Sequence, residues 1–281
     1  MDIGSSHNKD RTADLAVWCL TPGGKLLGQK IQSAFSGRCR LFLSDRLGPV
    51  SGGDLQTSGF QSLSAEIARQ FHRFDSHLFI FSTGIVVRMI APLIQSKLTD
   101  PGVVVMDEKA RFAISLLSGH IGGANELAGT LSKLFGAVPV VTTATDVNNL
   151  PAIDLIAAQQ NLMIETPENI KHINMAFLKK EPVAVIDPEN RVLPYLPRGL
   201  LADAHARVSG RHTVFCSYKT DPVSRETLVL RPRVLCVGIG CNRGTPVQVL
   251  KRFLEMQFAA AGLSVSSIDR LATIDLKSDE R

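Results

Sequence analysis

Through about residue 145, this chain alternates short apolar runs with amphipathic stretches of helical length, and that alternation leaves few folds open. Leu15–Leu20, Cys39–Ser44, His77–Ser82, Val103–Asp107, Phe112–Leu117 and Val138–Thr142 read as strands. Gly24–Phe35, Ser62–Phe74, Ile85–Ser96 and a stretch ending at Phe135 read as the helices between them. Runs that are apolar throughout, rather than at every second residue, belong to strands covered on both faces. The expected fold is therefore α/β, with a doubly wound, mostly parallel sheet in an N-terminal domain over residues 14–146. Residues 1–13 are expected to form a flexible tail.

Beyond Thr145 the pattern thins. Asp154–Gln160, Pro167–Lys179, Val183–Ile186, Val214–Ser217 and Thr227–Leu230 suggest a small α/β middle domain with its linker over 147–231, and Pro222 and Pro232 are expected to bracket that linker. A third unit, 232–281, opens on RVLCVGIGC, a strand running into a glycine turn. Thr245 as N-cap and Pro246 at the first helical position are expected to start a helix reaching about Ala261, with Val265–Ile268 as a second strand. One β-α-β unit leaves open edges and uncovered faces, so this reads as the start of a C-terminal α/β domain.

Composition excludes several classes. With 44% hydrophobic and 20% charged residues the chain has ample material for a core. The run Leu78–Val87 meets Arg88 after ten residues, half of what a membrane helix needs, and the polar start MDIGSSHNKD has no apolar signal region, so a cytoplasmic protein is expected. The five cysteines form no C-x-x-C pair and the histidines show no metal-ligand spacing, so neither disulfides nor a structural metal is expected. Arg191–Arg233 carries eight Arg or Lys against three Asp or Glu, an excess equal to the chain's whole net charge of +5. Such a stretch can attract nucleic acid, phosphate or a polycarboxylate. One Trp and two Tyr offer little for base stacking, which argues against nucleic acid.

The densest candidate for chemistry is Ser118-Gly119-His120-Ile121-Gly122-Gly123-Ala124-Asn125-Glu126, between an apolar strand and a helix. Glycines let a ligand approach the backbone, and the first N–H groups of a helix favour an anion or an oxyanion. His120 is suited to general acid or base work, and Asn125 and Glu126 to orienting a ligand or water. The alternative is a tight strand-to-helix turn. Thr83, Gly84 and Arg88 form a second candidate at a strand end, where Arg88 can pair with a carboxylate. Thr142, Thr143 and Asp146 supply polar groups after another strand. Because each of these turns follows a strand, all three are expected on the sheet's carboxyl edge. Asp107 and Glu108 read most simply as a solvated hairpin turn. Gly238–Gly244 has Arg243 where a dinucleotide loop would carry its third glycine, and Cys241 has no histidine after it to activate it.

STGIVVRMIAPLI, the K-x-x-DP-x-VVV-x-DE run from Lys97 to Glu108, SLLSGHIGGANELA, VTTATDVN and VGIGCNRGT together resemble the CbiG family, the cobalt-precorrin-5A hydrolases of anaerobic cobalamin biosynthesis. The resemblance implies opening of the δ-lactone of cobalt-precorrin-5A and release of acetaldehyde to give cobalt-precorrin-5B. Cobalt would travel in the substrate, so no cofactor and no protein-held metal are expected. In that setting His120 is the expected base, with Glu126 as a further proton carrier. Thr83, Gly84, Arg88, Ser118, Gly119, Gly122, Gly123, Asn125, Thr142, Thr143, Asp146 and Arg243 are the expected substrate-binding residues. The expected partner is the acidic cobalt-precorrin tetrapyrrole, not nucleic acid or membrane. A homodimer, or contact with other enzymes of the pathway, is left open. Family members continue well beyond the segment Ala272–Lys277, whereas this chain ends four residues after Lys277, so the third unit is expected to be shortened. The competing reading is a non-catalytic corrinoid carrier or scaffold.

Overall fold

The computed structural model describes residues 13–35, 37–48, 56–202 and 210–274. The expected tail, apart from Ala13, and the chain beyond Ile274 lie outside them. The chain divides into two compact units, Met1–Thr143 and Ala144–Arg281.

The first unit runs β1 (Ala13–Cys19), α1 (Pro22–Ala34), β2 (Cys39–Ser44), β3 (Thr57–Phe60), α2 (Leu63–Gln70), β4 (Phe74–Ile80), α3 (Thr83–Ile90), β5 (Gly102–Met106), β6 (Phe112–Leu117), α4 (Ala124–Phe135) and β7 (Val138–Val140). These strands form one seven-stranded sheet in the order β3-β2-β1-β4-β5-β6-β7. Alternation along β1 shows how it is covered. Leu15, Val17 and Cys19 pack with Leu27 and Ile31 of α1 and Leu127 and Leu131 of α4. Ala16 and Trp18 pack on the other face with Ile67 of α2 and Val86 and Ile90 of α3. Helices on both faces make this the expected doubly wound domain, and each fully buried Leu or Ile contributes about 1.5–3 kcal/mol.

His77 is a fully buried polar residue in this core. Trp18 stacks on Phe42 with ring centres 4.2 Å apart and donates its indole N–H to His77 Nδ1 at 3.0 Å. His77 Nε2 lies 2.9 Å from Phe71 O. An indole nitrogen only donates, so Nδ1 must accept and Nε2–H must donate, which selects the neutral Nε2–H ring.

Strand direction departs from expectation at one place, with large consequences. The Asp107 carboxylate accepts from the backbone N–H groups of Lys109, Arg111 and Phe112 at 3.1, 2.9 and 2.9 Å. That closes a tight turn, so β6 runs antiparallel to β5 while β7 stays parallel to β6. The carboxyl ends of β6 and β7 therefore lie on the opposite edge from those of β1, β4 and β5. The expectation that the Thr83, Ser118 and Thr142 turns share one edge is overturned.

The second unit runs α5 (Ala144–Val147), α6 (Ile153–Gln159), β8 (Leu162–Ile164), α7 (Ile170–Lys179), β9 (Ala184–Ile186), β10 (Thr213–Cys216), β11 (Leu228–Pro232), β12 (Leu235–Gly238), α8 (Val247–Ala260) and β13 (Ile268–Ala272). It holds a mixed four-stranded sheet, β8-β11-β10-β9, and a parallel pair, β12-β13. The stretch between Pro222 and Pro232 is not simply a linker, because β11 is an inner strand with every residue buried. Thr245 does not cap α8. Its hydroxyl donates to Asn242 O at 2.7 Å, so Pro246 becomes the cap residue and the helix begins at Val247. Val265–Ser267 is a 3₁₀ turn rather than a strand, since Ser264 Oγ accepts from Ser266 N, and the strand starts at Ile268. The basic stretch is partly neutralised: buried Arg231 pairs with Glu165 at 2.8 Å and Arg211 with Glu226 at 2.6 Å. Arg207 lies outside the described residues. Among the described residues no helix is long and apolar enough to cross a membrane.

Candidate functional site

In the first unit the chain leaves β1 toward β2 on one side and leaves β4 toward β5 on the other. Between β1 and β4 the connections diverge, and open α/β sheets characteristically bind ligands at the carboxyl ends of such a strand pair. A cavity of about 660 Å³ lies there. Its walls are Leu20, Ile80, Phe81, Ile85, Phe112 and Ile114, with Val105 and Met106, and its polar groups come from Thr21, Ser82, Thr83, Asp107 and Glu108.

Each polar group has a local cause. Thr21 caps α1, accepting from Gly24 N at 3.1 Å, and donates its hydroxyl hydrogen to Glu108 Oε2 at 2.6 Å. Glu108 itself stands on the β5–β6 turn, 87 residues away in sequence. Asp107 is committed to that turn. Burial pushes its carboxyl up, but the N–H groups of Phe112, Lys109 and Arg111 and the Arg111 guanidinium outweigh this and hold it below the usual carboxylate range. Thr83, in the first turn of α3, lines the cavity. Gly84 and Arg88 do not line it: Arg88 Nη1 donates to Gly84 O at 3.0 Å, folded back along its own helix.

The Ser118–Glu126 loop occupies the other edge. The five residues of β5 separate the two places by roughly 16 Å. Three of the N–H groups expected to be open to an anion are used by the loop itself. Gly123 N donates to His120 O, Ala124 N to Ser118 O and Asn125 N to Gly119 O. The glycines serve close packing: a Cβ at Gly119 would lie 2.7 Å from Asn125 Oδ1, and one at Gly122 would strike Ser118 and the backbone of Gly102. Ser115 Oγ of β6 donates to Asn125 Oδ1 at 2.6 Å and Asn125 Nδ2 donates to Thr143 Oγ1, after β7, at 3.1 Å, which brings Asn125 and Thr143 together. His120 is half-buried, and Glu126 and Thr142 are exposed. Ser118 stands out, with φ at 53° and a buried hydroxyl that has no hydrogen-bond partner. Asp146, in α5, and the exposed Arg243 belong to the second unit.

Thiol chemistry finds no support at either place. Burial pushes Cys19, Cys39 and Cys216 up to about 12, and neither they nor Cys241 line the cavity. Among the described residues no group of three or more His, Cys, Asp or Glu could hold a metal ion. Thr21 and Glu108 were not read as site residues from sequence. A carboxylate directly after a buried strand was the available signal for Glu108, and nothing local pointed to Thr21.

Three family descriptions follow one another from residue 65 on: "Cobalamin synthesis G N-terminal" over residues 65–146, "Cobalamin biosynthesis central region" over 151–232 and "Cobalamin synthesis G C-terminus" over 235–281. The cobalt-precorrin-5A hydrolase of Priestia megaterium is 32% identical, matched over 100% of this chain and 79% of its own length. That of Salmonella typhimurium is 34% identical over 97% of this chain and 78% of its own. A crystal structure of a cobalamin biosynthesis protein G homologue from Sulfolobus solfataricus covers 94% of this chain and 75% of its own at 20% identity, with a TM-score of 0.44, too loose a likeness to place any residue. With identities above 30% along its whole length, the chain belongs to the CbiG family, the cobalamin synthesis G proteins.

Proposed function

We propose that this chain is a cobalt-precorrin-5A hydrolase of anaerobic cobalamin biosynthesis, opening the substrate's δ-lactone and releasing acetaldehyde. The observation that carries this reading is identity of 32% and 34% to two hydrolases of that name over 100% and 97% of the chain. Lactone hydrolysis needs a water made nucleophilic beside an acyl carbon and a dry wall around it. The cavity between β1 and β4 offers apolar walls with hydroxyls and two carboxylates among them, and its volume falls in the range of small-molecule sites. We place the lactone there, with the carboxylate-bearing rim of the macrocycle outside.

A second location for the same reaction is the Ser118–Glu126 loop, with His120 as base, Glu126 as proton carrier and Asn125 and Thr143 as binding groups. Ser118 favours it, because a strained backbone and an unpartnered buried hydroxyl mark places shaped for a ligand. If the reaction occurs there, His120→Ala lowers kcat by about 10² to 10⁴ and leaves KM nearly unchanged. The test of the function itself is incubation with cobalt-precorrin-5A and assay of acetaldehyde. Tight binding of the corrinoid without acetaldehyde would make the chain a carrier.

A further inference from the structure

We infer that Glu108 is the proton-transfer residue of this hydrolysis, held in place by Thr21 at the mouth of the cavity between β1 and β4. The inference rests on the hydrolase reading and deepens it. Among the described residues only two titratable side chains line the cavity, Asp107 and Glu108, and no described His, Lys or Cys does. Asp107 is already saturated: its oxygens accept from three backbone N–H groups and from Arg111 Nε at 3.3 Å, so it is tied to the turn. Glu108 accepts from Thr21 through Oε2. A carboxylate oxygen has more than one lone pair, and Oε1 remains to take a proton.

The way the chain positions Glu108 is specific. Thr21 uses its single hydroxyl hydrogen on Glu108 while its lone pair caps α1, so the carboxylate is indexed to the helix start. Gly23 makes room for it, since a Cβ there would sit 2.9 Å from Oε2 and 3.0 Å from Cδ. In the step assigned here, Glu108 takes one proton from water as the water oxygen bonds to the acyl carbon. The acyl carbon–oxygen bond of the lactone then breaks, and the expelled oxygen receives that proton from Glu108. Acetaldehyde leaves afterwards, when the freed hydroxyl gives up its proton as the carbon–carbon bond to the macrocycle breaks and the macrocycle carbon is protonated in its place. Water is the sole co-reactant, and the carboxylate is regenerated.

Glu108→Gln tests the role. Glu108 is exposed and a Gln amide oxygen can still accept from Thr21, so the fold has little reason to change. The expected result is a kcat lower by about 10² to 10⁴ with KM near the wild-type value. Gly23→Ala is the second variant. It crowds the carboxylate without touching its charge, and is expected to lower kcat less than Glu108→Gln while the helix, gaining an alanine, loses no stability. If wild type releases acetaldehyde and Glu108→Gln does so at a similar kcat, the role of Glu108 is overturned and the hydrolase reading stands. If wild type binds cobalt-precorrin-5A and releases none, the hydrolase reading fails and this role with it.

Discussion

Substituting alanine at Gly122 and at the adjacent Gly123 separates two explanations for the glycines of the Ser118–Glu126 loop. If they exist to admit a ligand, both substitutions should weaken binding and spare the fold. The packing says otherwise. A Cβ at Gly122 would press on Ser118 Cβ and lie 2.8 Å from Gly102 N and 2.9 Å from Ser118 O. Two of those three neighbours are backbone atoms of a strand and a loop, which cannot rotate away, so the cost should fall at the upper end of overpacking, about 3 kcal/mol. Gly123 has φ at 79° and nothing within 4 Å of an added Cβ, so alanine there meets only the left-handed backbone penalty, about 1 kcal/mol. Trp18 is the chain's single tryptophan and is fully buried in the first unit, so its emission reports that unit's unfolding alone. For a unit of this size 1 kcal/mol corresponds to about 4 °C, giving midpoint losses of roughly 12 °C for Gly122→Ala and roughly 4 °C for Gly123→Ala. A wild-type midpoint for Gly122→Ala, or a larger loss at Gly123 than at Gly122, would refute the reasoning.

Other perturbations follow from the same structure. His77→Phe strips Trp18 Nε1 and Phe71 O of a buried partner, and the urea midpoint of Trp18 emission should fall by an amount equivalent to at least about 2 kcal/mol; an unchanged midpoint contradicts the pairing. Because the Asp107 carboxyl is held low in the folded chain, its stabilisation is present above the unfolded value near 3.9 and is lost as pH falls through the folded value. Asp107→Asn should therefore flatten the acid side of a plot of thermal midpoint against pH, and an unaltered slope there counts against it. Burial pushes Glu165 up, but Arg231 with the Ser266 and Ser264 hydroxyls outweighs this, and Arg231 itself is buried. Glu165→Gln leaves that guanidinium without its carboxylate and should cost about 1–3 kcal/mol, read from the near-ultraviolet dichroism of the two tyrosines, Tyr195 and Tyr218, both in the second unit.

What could be read from sequence was whatever depends on neighbours along the chain. Cys39–Ser44 and Phe112–Leu117 come out as strands at the expected bounds; the first is covered on both faces, as its apolar run requires, whereas the second is mostly half-buried with Phe112 exposed. Thr57–Phe60 was missed, since only Phe60 among its residues is buried and no periodicity marks it. The hairpin at Asp107 was legible, but its consequence was not. Whether β6 pairs back on β5 or crosses over decides which edge receives the Ser118 loop, and pairing is a property of the assembled sheet. The same holds for the Thr21–Glu108 contact, which joins two turns far apart in sequence. The fate of the α4 N–H groups was hidden for another reason. Glycines that admit a ligand and glycines that admit the loop's own carbonyls are the same letters, and only the packing against Gly102 distinguishes them.

The most direct test of the account is the stoichiometry of acetaldehyde released when the wild-type chain is incubated with cobalt-precorrin-5A. Release is quantified with an aldehyde-specific reagent, and the corrinoid is recovered and weighed by mass spectrometry. A hydrolase releases one acetaldehyde for each corrinoid converted and returns the lactone-opened product. Recovery of bound, unaltered cobalt-precorrin-5A with no acetaldehyde would contradict the account.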